Sequence, residues 1–258
     1  MASTSLTREV EVMGTIVTLS LFHASGIEDE AAEPYFDEAT HVLHEADRVF
    51  STYKHDSPIS RLRRGEMALG EAPPEVAEVL DLCRHAREVT GGWFDPWAMP
   101  GGVDPTGLVK GWAAGRALEV LAAAGTDGAL VNAAGDLASR GGVGPGQSFR
   151  AGIADPASPG TLAAVVALDG ALATSGTYER GSHLLNPHTH VREAAVASAS
   201  VSGPDPGLAD AFATALCVGG LDVLALLERV EGYEALLIGF DGSRHTTPGF
   251  ALVDVATR

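Results

Sequence analysis

Helical and strand-like periodicities occupy separate blocks of this chain, and that separation constrains its fold more than any other feature. The first half carries amphipathic helical periods over residues 28–49, 75–89 and about 108–124. Ala39, Leu43 and Ala46 mark the apolar stripe of the first, Gly91 and Gly92 close the second, and Gly125 stops the third. Ser57 reads as the cap of a short helix over Pro58–Arg63. Ahead of the helices, residues 10–22 alternate and are rich in β-branched side chains, as one strand broken near Gly14 would be. Strand patterns then dominate at 128–132, 148–154, 162–168 and 195–201, followed by helices at 208–218 and 221–231 and a strand at 235–240. Grouping without a regular βαβ alternation predicts an α+β fold of mixed or antiparallel sheets with packed helices. No internal repeat or long linker divides the chain, so a single domain over residues 1–258 is expected.

The charge balance excludes whole classes of partner. The chain has a formal net charge of −17 over 258 residues. Wrapping a nucleic-acid backbone or lying on an anionic membrane needs Lys/Arg surfaces that such a chain does not offer. No stretch is long and apolar enough to span a bilayer, and the N-terminus lacks a basic region followed by an apolar run, so the chain reads as cytoplasmic. The two cysteines, Cys83 and Cys217, lie far apart within apolar helical patterns and read as small buried hydrophobes. A phosphate-bearing ligand of so acidic a protein needs a divalent cation, a local Lys or Arg, or a helix N-terminus to offset repulsion.

Three segments carry groups suited to that task. In Asp104-Pro105-Thr106-Gly107-Leu108-Val109-Lys110-Gly111 a turn opens into a helix with Lys110 in its first turn, beside a glycine that lets a ligand near the backbone. A solvated lysine on an ordinary helix satisfies the same pattern. Asp210 and Thr214 are four apart, so on a helix their oxygens share a face, a hard-oxygen pair suited to Mg²⁺ with a backbone carbonyl from elsewhere. The alternative is a capping Asp and a Thr bonded to backbone. In the segment from Ala173 to Tyr178, hydroxyl residues around Gly176 leave N–H groups free for phosphate oxygens. His183, just beyond, is either a general base near neutral pH or a hydrogen-bonded structural histidine.

The strings Met13-Gly14-Thr15, Phe50-Ser51-Thr52-Tyr53, Ser57-x-Ile59-Ser60-Arg61-Leu62, Gly92-x-Phe94-Asp95 and Asp104-x-x-Gly107-x-x-Lys110-Gly111 come in that order. Asn132-x-x-Gly135-Asp136, Thr174-Ser175-Gly176-x-Tyr178, His183-x-x-Asn186-Pro187-x-Thr189 and Ala209-Asp210-Ala211-x-Ala213-Thr214-Ala215 follow. In this register, over about residues 13–220, the chain resembles the FAD:protein FMN transferase family, the ApbE-like flavin transferases. The resemblance implies an α+β flavin-binding fold that holds FAD with Mg²⁺ as cofactor. It implies transfer of FMN to a Ser or Thr hydroxyl of an acceptor flavoprotein, with release of AMP; some members instead hydrolyse FAD to FMN and AMP, and a silent flavin-binding protein is a further alternative. Carried over by position, Met13, Tyr53, Trp93, Phe94, Asp95, Asp104, Lys110 and Leu185 would contact FAD. Gly107 through its carbonyl, Asp210 and Thr214 would hold the metal. His183 would be the catalytic base, with Lys110 beside the phosphates. The chain departs from the family pattern at Asn186, where the motif has Asp, at His190, where it has Gly, and at Ala134, where a Gly-Gly-Asp string has its first Gly.

Overall fold

The computed structural model describes residues 4–23, 28–177 and 184–253. It is an α+β structure built on one antiparallel sheet, as expected. The chain opens as a hairpin of β1 (Thr4–Val12) and β2 (Thr15–His23), paired residue for residue around the Met13-Gly14 turn. The expected break near Gly14 is therefore a reversal that adds a second strand, because Met13 and Gly14 both adopt positive φ. Helix α1 (Asp29–Phe50), α2 (Pro58–Arg63), α3 (Pro74–Val89) and α4 (Thr106–Ala122) follow. Next come β3 (Gly128–Ala133), β4 (Asp136–Gly144), β5 (Gln147–Ala154), β6 (Leu162–Leu168), β7 (Gly170–Gly176) and β8 (Ser198–Gly203). Helices α5 (Pro206–Gly219) and α6 (Leu221–Leu227) precede β9 (Glu234–Ile238) and β10 (Arg244–Thr246). Spatial order is β1-β2-β3-β4-β7-β8-β9-β10, with β5 leaving β4 to pair β6.

Period-two alternation sends neighbouring side chains to opposite faces of this sheet. Val17, Leu19 and Leu21 of β2 and Ala129 and Val131 of β3 pack against α1 and α4. Ala171, Ala173, Ala235 and Leu237 join α3, α4 and α5. The alternate residues Leu172, Leu236 and Ile238 face the other way, onto Phe149, Ile153, Val166 and Leu168 of the β5–β6 hairpin. Strands β4, β7 and β10 have no counterpart in the sequence reading. β4 and β7 are rich in Gly, Ala and Ser and carry little intrinsic strand preference; flanking strands hold them in the sheet. Among the described residues no helix is long and apolar enough to cross a membrane.

Candidate active site

The site is built where α4 and α5 touch. A side chain at Gly111 would put its Cβ 2.1 Å from the Pro206 carbonyl oxygen, so only glycine lets the start of α5 close on α4. The glycine expected to admit a ligand instead admits a helix. Asp205 caps α5, accepting the Leu208 N–H at 2.8 Å, which frees Asp210 from a capping role. Asp210, only 6% exposed, accepts the Gly111 N–H at 3.3 Å. The helical ladder directs that same N–H at the Gly107 carbonyl, so the Asp210 carboxylate and the Gly107 oxygen converge on one donor. One turn along α5, Thr214 Oγ1 lies 3.7 Å from the position a Gly107 Cβ would take and 3.3 Å from Ser175 Oγ. Gly107, distant in sequence from Asp210 and Thr214, thus meets them, a carbonyl beside a carboxylate and a hydroxyl.

Lys110 is placed differently from the expectation. Helix α4 begins at Thr106, so Lys110 falls in its second turn, past the reach of the helix N-terminus. Its Nζ lies 2.5 Å from Oδ2 of Asp136, the buried first residue of β4. Asp136 Oδ1 accepts the Thr174 N–H at 3.0 Å. That bond occupies one of the N–H groups that the sequence reading of residues 173–178 leaves free for phosphate oxygens. Through Gly176 the segment is the strand β7, paired with β8, and the Thr174 amide is already satisfied. Burial raises the proton affinity of Asp210 well above the ordinary carboxylate range; the Asp136 charge adds to the rise, and Lys110 and the Gly111 N–H oppose it.

Above this floor lies a cleft of about 820 Å³. Each FAD-contact position expected from the sequence lines it: Met13, Tyr53, Trp93, Phe94, Asp95, Asp104, Lys110 and Leu185. Met13 sits at the hairpin turn with φ 53°, and Tyr53 stands at the mouth, 97% exposed. Trp93 meets the His188 ring edge-on at 4.5 Å. Phe94 is buried against Gly107 and serves the core as much as the cleft. Asp95 and Asp104 are both occupied structurally. Asp95 accepts from Arg87 at 2.7 Å and from the Trp97 N–H, and Asp104 accepts from Thr106 and pairs with Arg63 at 3.3 Å. Arg63 also holds the Pro100 carbonyl at 2.7 Å, which shapes the loop between the two aspartates. His183 lies outside the described residues.

Asp136 and Lys54 are the site residues that the sequence reading gives no role. Asp136 was visible only as the end of the Asn132-to-Asp136 string. Lys54, a second cation lining the cleft, pairs with Asp47 at 2.6 Å and carries no pattern that marks it. Asn132 Oδ1 closes the β3–β4 turn on the Gly135 N–H at 2.8 Å, and Ala134 there adopts φ 53° where glycine is the usual occupant. Both cysteines are buried as expected, and burial pushes each thiol up to about 12.

The geometry matches known proteins. The solved flavin transferase ApbE from Vibrio cholerae superposes with a TM-score of 0.82 at 19% identity, covering 96% of this chain and 98% of its own. Flavinyl transferase ApbE from Pseudomonas stutzeri in its apo form gives 0.78 at 22% identity, covering 96% of each chain. The ApbE protein from Thermotoga maritima gives 0.80 at 19%, covering 95% and 97%. At these identities the likeness carries the fold. A curated relative, the FAD:protein FMN transferase of Rhodobacter capsulatus, is 38% identical over 151 residues, 53% of this chain and 29% of that protein. The chain therefore aligns with less than a third of the curated relative's length. The ApbE family profile matches residues 13–102 and 99–237, which takes in the hairpin turn, both walls of the cleft and the α4–α5 floor. The chain belongs to the ApbE family.

Proposed function

We propose that this protein is a Mg²⁺-dependent FAD:protein FMN transferase that moves FMN from FAD to a Ser or Thr hydroxyl of a target flavoprotein and releases AMP. The observation that carries the reading is the meeting of Gly107, Asp210 and Thr214 at the floor of a cleft lined by Met13, Tyr53, Trp93 and Leu185. The donors fit a hard divalent ion: a nearly buried carboxylate, a hydroxyl and a carbonyl. Gly107, Asp210 and Thr214 would hold Mg²⁺, which when bound neutralises charge on the diphosphate and the departing AMP.

Charge counting supports the need for that ion. With Asp210 ionised, as a metal ligand must be, two carboxylates, Asp136 and Asp210, stand against one ammonium, Lys110, so without the ion the floor repels a diphosphate. Asp136 holds the Lys110 ammonium in place, and a fixed cation costs little reorganisation when charge develops. Tyr53 and Trp93 offer flat faces to the ring systems of FAD. The anhydride bond to the FMN phosphorus breaks, AMP leaves with its electron pair, and the acceptor oxygen forms the new P–O bond. His183 takes the hydroxyl proton in this reading. Positioning and electrostatics dominate phosphoryl transfer, and the chain supplies both. The name of the Rhodobacter capsulatus relative supports the activity.

The test is mass spectrometry of a flavoprotein acceptor incubated with FAD and Mg²⁺. Covalent FMN on Ser or Thr with stoichiometric AMP is the expected result. FMN and AMP without a labelled acceptor would make water the acceptor, and no cleavage of FAD would overturn the reading.

A further inference from the structure

One wall of the cleft is a folded turn, residues 184–193. Its backbone closes through Glu193 N–H to the Leu184 carbonyl at 3.1 Å, Asn186 N–H to Val191 at 2.8 Å and His190 N–H to Asn186 at 2.8 Å. His190 sits at φ 57° to make the reversal. Inside the turn, Asn186 is 6% exposed and uses both ends of its amide. Its Oδ1 accepts the His188 N–H at 2.9 Å and the Thr189 N–H at 3.3 Å, and its Nδ2 donates to Glu193 Oε1 at 2.8 Å. Thr189 Oγ1 donates to the same Glu193 oxygen at 2.8 Å. The turn carries Leu184, Leu185, Pro187 and Arg192 into the cleft lining, and its His188 braces Trp93.

We propose that Asn186 and Glu193 form a matched amide–carboxylate pair that positions this wall, and Trp93 through it, for FAD. The chemistry permits one carboxylate in the pair and not two. Asn186 must accept two backbone N–H groups with one end and donate with the other, because Glu193 is acceptor-only. Aspartate at 186 satisfies the backbone but faces Glu193 with a second negative oxygen at hydrogen-bond distance. Moving the carboxylate rather than adding one restores the match. With Asp at 186 and Gln at 193 the bond reverses direction: Gln Nε2, standing where Glu193 Oε1 stands, donates one hydrogen to Asp and the other to Thr189 Oγ1.

The inference rests on the proposed reading of the cleft as an FAD site, and its test separates the two. FAD affinity in Mg²⁺, the rate of AMP release at saturating FAD, and amide hydrogen exchange over residues 184–193 are compared across Asn186→Asp, Glu193→Gln and the double swap. Asn186→Asp is expected to weaken FAD affinity about tenfold, change the saturated rate less than about threefold, and speed exchange in the turn by about tenfold. Glu193→Gln changes each by less than about threefold, because its oxygen still accepts from Asn186 and Thr189. The double swap returns affinity and exchange to within about threefold of the parent. An unchanged Asn186→Asp protein, or a double swap no better than Asn186→Asp, would overturn the pairing. If the parent protein binds no FAD, the reading of the cleft fails, and hydrogen exchange alone still decides whether the pair sets the wall.

Discussion

Helix α4 carries an ion pair on each of two faces, and the two have little in common beyond their charges. Toward the cleft, Lys110 and Asp136 lie 2.5 Å apart with side chains 27% and 5% exposed, and Asp210 stands next to them. Away from it, Arg116 and Glu78 lie 2.6 Å apart but are 43% and 42% exposed, with Trp112 Nε1 also donating to Glu78 at 2.9 Å. Water screens the second pair, and it does little more than hold the Arg116 guanidinium over the Trp112 ring, 5.5 Å from its centroid. The first is screened far less, so each charge there changes the proton affinity of its neighbours. Similar residues become a site or a surface according to what the rest of the fold places over them.

The largest effect on this contrast belongs to Asp210→Ala. If Asp210 holds the metal as proposed, its loss removes several kcal/mol of transition-state stabilisation, so Mg²⁺-dependent cleavage of FAD should fall on the order of a hundredfold or more. A change of less than about threefold would dismiss the proposed floor. The pH dependence of the parent protein sharpens the point. Since burial raises the folded-state proton affinity of Asp210, its proton stabilises the metal-free protein at low pH, and that contribution is lost as pH rises through the raised value. Mg²⁺ must displace the same proton, so Mg²⁺ affinity measured by calorimetry should decrease as pH falls through that range.

Next in size is Asp136→Ala, which removes the Lys110 ion pair and the acceptor of the Thr174 N–H; unfolding should become easier by about 1–3 kcal/mol in urea titration. Arg116→Ala on the far face should cost only about 0–1 kcal/mol and leave the rate of FAD cleavage intact. Equal losses from the two substitutions would erase the distinction drawn between the faces. The smallest effect is a null one: with thiols pushed up to about 12, Cys83 and Cys217 should resist alkylation at neutral pH until the protein unfolds. Rapid labelling of the folded protein would contradict their burial.

Local signals read best where they are short and strong. The Ser57 cap was identified from its neighbours, and its side chain accepts the Ser60 N–H at 3.1 Å as expected. The helices of the first half were found to within two residues, because amphipathic period and terminal glycines mark them. Strands β4 and β7 escaped because residues such as Gly141, Gly142 and Ala173 have no strand preference of their own. Their extended form comes from partners on both sides.

At the site, the sequence by itself determined which oxygens and cations the chain has to offer, and the spacing that puts Asp210 and Thr214 on one helical face. It also determined, through Gly111, that two helices can touch. Only the tertiary structure decided that Lys110 answers Asp136, that Asp205 and not Asp210 caps α5, and that Asn186 answers Glu193. The physical reason is range. Helical spacing and capping are settled within a few residues, whereas a charge takes its role from burial and from partners tens of residues away, which no local pattern encodes.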